Sequence, residues 1–179
     1  MPVPVWTAVL LIGLLIAPCV GAQSDDYQDA SRLFRSGQLA PALERIEGFL
    51  KSHPKDARAR FLKGLIIGHQ NKLAEAIGIF TGLTEDYPEL PEPYNNLAVL
   101  YALQGQYDKA RSALDMAIRA HPSYATAYEN LGDLYARMAA QAYDKALQLD
   151  KTNSAVQTKI GTIKKLSPAQ LSPGRSESR

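Results

Sequence analysis

The chain has 179 residues, enough for one domain or two at most, with 46 % hydrophobic and 21 % charged residues. That balance is ordinary for a globular protein and excludes a wholly disordered chain. Twenty basic against eighteen acidic side chains leave a net charge of +2, without the basic excess expected of a nucleic-acid binder.

The near-neutral sum conceals three segments. Residues 1–22 hold no charged side chain, residues 23–150 hold 14 basic and 17 acidic groups, and residues 151–179 hold 6 basic and 1 acidic. In the first, the apolar run VWTAVLLIGLLI (5–16) leads to Pro18, Cys19, Val20, Gly21 and Ala22. An apolar run of this length before a small-residue site reads as a signal peptide, 1–22, cleaved before Gln23. The Lys or Arg usual near the start of such a signal is missing. The expectation is a periplasmic or secreted protein with no stable membrane span after cleavage. One alternative is an uncleaved anchor over 3–20, at the lower length limit for crossing a bilayer. The other is lipid attachment at Cys19, although Pro18 occupies the place before the cysteine where a small residue is wanted. Cys19 is the only cysteine, so a chain beginning at Gln23 holds no disulfide and no thiolate metal site.

From Gln23 the chain repeats every 34 residues: His53-Pro54, Tyr87-Pro88 and His121-Pro122 recur at that spacing and define units 23–56, 57–90 and 91–124. Ala30, Gly64, Ala98 and Gly132 share the eighth place, and Ala42, Ala76 and Ala110 the twentieth. Leu33, Ile67, Tyr101 and Tyr135 share the eleventh, and Ile46, Phe80 and Leu114 the twenty-fourth. Gly37, Asn71 and Gly105 hold the fifteenth. This pattern resembles the tetratricopeptide repeat family over about 23–150. The resemblance implies an all-α, right-handed solenoid of antiparallel helix pairs.

The residues support such pairs. Small eighth and twentieth places let two helices approach closely, and the bulky eleventh and twenty-fourth places bury apolar area between them. Gly or Asn at the fifteenth accepts a left-handed cap, and proline ends the second helix. Helices are predicted at 24–36 and 39–52, 57–70 and 73–86, and 91–104 and 107–120.

The fourth unit, 125–150, is atypical. Tyr143 and Ala146 match the twenty-fourth and twenty-seventh places, but five residues are missing before them and no Gly or Pro occurs between Asp133 and Leu149. Apolar residues keep helical spacing throughout, which predicts one unbroken helix over 125–149, about 37 Å long. A capping helix over 151–166, helical from 154 and started by Asn153 or Ser154, then folds back along it. Either this end only caps the stack, or the long helix 125–149 also offers a homodimer or partner surface. Residues 167–179 (SPAQLSPGRSESR) read as a disordered tail.

Motifs for chemistry are absent: there is no phosphate loop, no zinc-spaced His pair and no plausible triad. No cofactor, metal or catalytic residue is assigned. His53 and His121 suit the negative end of a second helix. The pair Glu129 and Asp133 is the only carboxylate pair worth testing for catalysis, and the chain is read as a non-enzyme.

The resemblance implies a concave groove lined by first helices at the second, fifth, ninth, twelfth and thirteenth places. Among the residues at these places, the candidate partner-binding set is Tyr27, Phe34, Arg35, Arg58, Phe61, Leu65, His69, Asn95, Val99, Leu103, Glu129 and Asp133; Arg137 occupies the thirteenth place of unit four. The family's carboxylate clamp uses Lys and Asn at the fifth and ninth places, where this chain has Tyr27/Ser31, Phe61/Leu65, Asn95/Val99 and Glu129/Asp133, so that clamp is rejected. Phe61 and Leu65 either anchor a partner or pack between neighbouring helices. The sequence thus predicts a non-catalytic envelope adaptor that holds a peptide or helix of another protein and binds no nucleic acid. The alternative is an accessory subunit of a cell-wall or exopolysaccharide enzyme system.

Overall fold

The computed structural model describes residues 22–166. The apolar leader and the Ser/Pro tail lie outside the described residues, as do the expectations attached to them. Eight helices follow in order: α1 (Ala22–Arg35), α2 (Leu39–Ser52), α3 (Ala57–His69), α4 (Leu73–Asp86), α5 (Pro91–Leu103), α6 (Tyr107–Ala120), α7 (Ala125–Leu149) and α8 (Ser154–Leu166). Six of them form three helical hairpins with short turns, stacked side by side as an α-solenoid.

The turns follow from the residues at the fifteenth place. Gly37, Asn71 and Gly105 carry φ of 77°, 60° and 72°, the left-handed region open to Gly and tolerated by Asn. This reversal lets the next amide close the helix end: Gln38, Lys72 and Gln106 donate to the carbonyls of Leu33, Ile67 and Tyr101 at 2.9, 3.2 and 2.9 Å. At the far end of each hairpin His53, Tyr87 and His121 donate their N–H to Phe49, Leu83 and Ala117. The His53 ring also stacks on Phe49 at 4.3 Å. Asp56 caps α3 by accepting from the Ala59 amide at 2.9 Å, and Asn153 caps α8 through the Val156 amide at 3.1 Å.

Packing within each hairpin uses the repeated small and large places. Ala30, Ala42 and Ile46 are fully buried in the first unit, and Ala98, Ala110 and Leu114 in the third. In the second unit the approach is tightest: a Cβ added at Gly64 would lie 2.7 Å from the Phe80 ring. Two apolar clusters run along the stack, one through α1, α2 and α3, the other from α3 to α7. There is thus no single centre to the core, as expected when each unit contacts only its neighbours.

The fourth unit has no hairpin. α7 runs 25 residues without a break. α8 folds back on it with Ile160 buried and the Lys159 ammonium 5.7 Å from the Tyr143 ring centroid. Among the described residues no helix is long and apolar enough to cross a membrane.

The Gly64→Ala variant tests the close approach. Alanine favours helix by about 1 kcal/mol over glycine. Phe80, however, is buried, with Phe61 packed edge-on against it, so the ring has little room to yield. Overpacking of this kind costs about 1–3 kcal/mol. Chemical denaturation is expected to show a net loss of stability; a gain would mean that the ring moves freely.

Candidate functional site

First helices α1, α3, α5 and α7 stand side by side and carry the predicted groove residues. At the upstream end, α1 presents Tyr27, with the Arg58 guanidinium from α3 5.5 Å from its ring centroid, a cation–π contact that ties the first two units together. Phe34, near the end of α1, meets His69, at the end of α3, edge-on at 5.1 Å. Arg35 is exposed beside it.

The middle of the surface holds a cleft of about 240 Å³. Its walls include Leu65 and His69 from α3, and Val99 and Leu103 from α5. Gly68 leaves the α3 side open, because it places no side chain between Leu65 and His69. Leu103 is 53 % exposed on the cleft wall. The volume falls short of the roughly 300–1,000 Å³ of sites for small organic ligands. It suits one or two side chains of a partner better than a cofactor.

Arg137 reaches the same cleft from α7. Its Nε is buried and has no hydrogen-bond partner. A guanidinium offers five N–H donors in a fixed fork, and burying any of them without an acceptor costs free energy. The cleft therefore combines apolar walls with a positive, under-satisfied donor group. Arg137 lies at the thirteenth, groove-lining place of unit four by sequence, outside the candidate binding set. The signal available was a lone cation on a first helix whose other groove places are acidic or small.

The structure brings Leu65, His69, Val99 and Leu103 together at the cleft, with Phe34 joined through His69. It does not bring the rest there. Asn95 is fully buried, and its carbonyl oxygen accepts from the Asn130 amide at 2.7 Å. This corrects the expectation of a groove contact: α5 and α7 approach closely enough to bury the fifth place of unit three, and the side chain joins the two helices. Phe61 sits edge-on to Phe80 with ring centroids 5.5 Å apart and packs against the main apolar cluster. Glu129 is exposed and Asp133 half-buried one turn on, both on α7 and neither lining the cleft.

Comparison with known proteins agrees with this architecture. Two models of the tetratricopeptide repeat match the chain, over residues 27–91 and 69–135. A curated relative is the chloroplast tetratricopeptide repeat domain-containing protein PYG7 of Arabidopsis thaliana, 31 % identical over 84 residues. That match covers 44 % of this chain and 28 % of the plant protein, so the chain spans less than a third of its length. Among solved structures, YrrB is described as a tetratricopeptide repeat protein with an unusual peptide-binding site. It is 27 % identical, with a TM-score of 0.56, and the match covers 60 % of this chain and 55 % of that one. The MamA protein matches at 21 % identity and a TM-score of 0.57, covering 82 % of this chain and 83 % of its own.

The buried amide pair makes its own prediction. Asn95→Ala removes one buried hydrogen bond of the α5–α7 contact, and such a bond contributes about 0.5–1.5 kcal/mol net. Urea denaturation is expected to show a loss in that range, and a neutral result would show that the pair contributes nothing to joining the units.

Proposed function

The chain belongs to the tetratricopeptide repeat family, and we propose that it acts as a non-catalytic adaptor that holds a peptide or helix of another protein in its first-helix groove. The observation that carries this reading is the central cleft, in which exposed Leu103 and half-buried Leu65 and Val99 face a guanidinium whose Nε has no acceptor. An apolar partner side chain fits the walls, and a neighbouring carboxylate complements the positive charge of the Arg137 guanidinium. The likeness to a structure described by its peptide-binding site supports the same use of the surface.

The mechanism is mass action on a preformed surface. A rigid stack of hairpins holds the anchors in place before the partner arrives, so little ordering cost falls on this side of the complex. A few buried anchors then carry most of the affinity. The groove's upstream aromatic groups, Tyr27 and Phe34, extend the contact beyond the cleft. Function in the cell envelope follows from the leader read in the sequence, and an N-terminus at Gln23 in the protein isolated from cells is its direct test.

Leu65→Glu combined with Leu103→Glu is the decisive variant. Neither side chain is fully buried, so the fold is expected to survive with a thermal midpoint near that of the parent. Partner capture, read by photo-crosslinking from a probe at Val99 in intact cells followed by mass spectrometry, is expected to fall at least tenfold, about 1.4 kcal/mol. Capture unchanged in a folded double variant would remove the cleft from the binding surface. Arg137→Gln is expected to weaken capture in the same assay while Glu129→Gln leaves it unchanged.

A further inference from the structure

The thirteenth places of the four units form a row across the groove: Arg35, His69, Leu103 and Arg137, one from each first helix. Arg35 and His69 are the last residues of α1 and α3, where the negative end of the helix favours a cation. Arg137 has no such reason to be basic, because α7 runs on to Leu149. Three of the four places thus carry basic side chains, and these flank the apolar cleft. His69 stands on its α3 wall and Arg137 reaches it from α7. Arg35 follows Phe34, whose ring meets His69 edge-on.

The two arginines of this row differ from the others in having nothing to neutralise them. Arg32, Arg45, Arg58, Arg60 and Arg111 each lie within ion-pair distance of an aspartate, and Arg119 donates to the Met116 sulfur. Among the described residues, Arg35 and Arg137 are the arginines left without an ion pair or a side-chain hydrogen bond. Asp133 lies one turn before Arg137 on α7, in the order and at the spacing that helix ion pairs use. No such pair forms, and the guanidinium reaches the cleft instead. Asp133 and Glu129 stay one and two turns back along α7, outside the cleft, so their helix does not cancel the positive edge of the groove.

We propose that the groove takes an acidic peptide segment, with one apolar side chain in the cleft and a carboxylate to either side of it, one toward Arg35 and His69 and the other toward Arg137. This rests on the groove acting as the binding surface and adds the charge of what fills it. A carboxylate placed at Arg137 complements a guanidinium that no group of this chain neutralises, and arginine–carboxylate pairs are among the stronger polar contacts. A basic segment at the same edge would meet like charge on both sides of the cleft. The clamp for a chain-terminal carboxylate is missing from the fifth and ninth places, so the carboxylates recognised here are those of side chains. Packed helices lie about 8–10 Å apart and an extended chain advances about 3.3 Å per residue, so the segment moves about three residues per unit. The cleft lies between α3 and α5, with α1 one unit to one side and α7 one unit to the other. The acidic residues are therefore expected about three positions before and after the apolar anchor.

Selection of phage-displayed random peptides on the purified protein tests it, with peptides of about twelve residues, long enough to cross all four first helices. The selected peptides are expected to carry Asp or Glu on both sides of an apolar residue. A fluorescein-labelled copy of the most enriched peptide is expected to bind more weakly as added salt screens the charges. Arg35→Gln combined with Arg137→Gln is the discriminating variant. Neither side chain has a partner to lose, so the thermal midpoint is expected to stay near that of the parent while affinity for the peptide falls about tenfold or more. Peptides that need Leu65 and Leu103 but carry no acidic excess, or that bind the double glutamine variant as well as the parent, would overturn the acidic partner and leave the groove standing. If no selected peptide loses binding to the Leu65→Glu, Leu103→Glu variant, the groove and the acidic partner fall together.

Discussion

The whole structure depends on how closely two helices can approach within one unit. Each hairpin sets a small residue at the eighth place against a large one at the twenty-fourth, and the limiting case is Gly64 against Phe80, where even a methyl group does not fit. The approach is possible because the turn between the helices reverses sharply at a left-handed residue, Gly37, Asn71 or Gly105. Turn and contact are therefore one device. The turn sets the offset of the two helices, and the offset decides which side chain lands on which. Repeated every 34 residues, the device produces a row of equivalent first helices, and a row of first helices is a groove.

Between units the joints are made differently, and this decides what the groove can offer. Arg58 over Tyr27 joins unit one to unit two. The Lys63–Glu47 ion pair, at 2.8 Å, joins α3 to α2 across the same boundary. At the α5–α7 contact the joint is a buried amide pair, Asn130 to Asn95. An amide at a groove place becomes structural here because neighbouring first helices converge on it. Where they diverge, around Leu65, Val99 and Leu103, the surface stays open as a cleft. The glycine at position 68 widens that gap by contributing no side chain.

Most of the architecture was legible from residue types at a fixed period. The helix ends agree with the sequence reading to within one or two residues, because proline, glycine and asparagine mark them locally. The unbroken α7 was legible for the same reason, since nothing between Asp133 and Leu149 could turn the chain. The site was less so. The frame assigns places to a face, but it does not say how far that face is covered by the next helix. Asn95 and Phe61 sit at groove places by count and are taken up by packing against Asn130 and Phe80. Arg137 was at a groove place too, and what distinguishes it is burial without an acceptor, which only three-dimensional structure reports.

The deleted turn at unit four shows how the same device fails when half of it is removed. Its second-helix residues keep a covering helix, because Tyr143 lies under Lys159 of α8. Its first-helix residues lose theirs, so the cover supplied by α4 and α6 in the earlier units has no counterpart over Gly132. α8 therefore closes one side of α7 and exposes another. An end cap with no further purpose would be expected to present polar residues outward, as terminal repeats do. The outward stripe of α7 instead carries Tyr128, Tyr135 and Leu149, three of the five large apolar side chains most exposed among the described residues. The physical content of the deletion is thus that the fourth first helix lacks the covering helix that its counterparts have from their own chain.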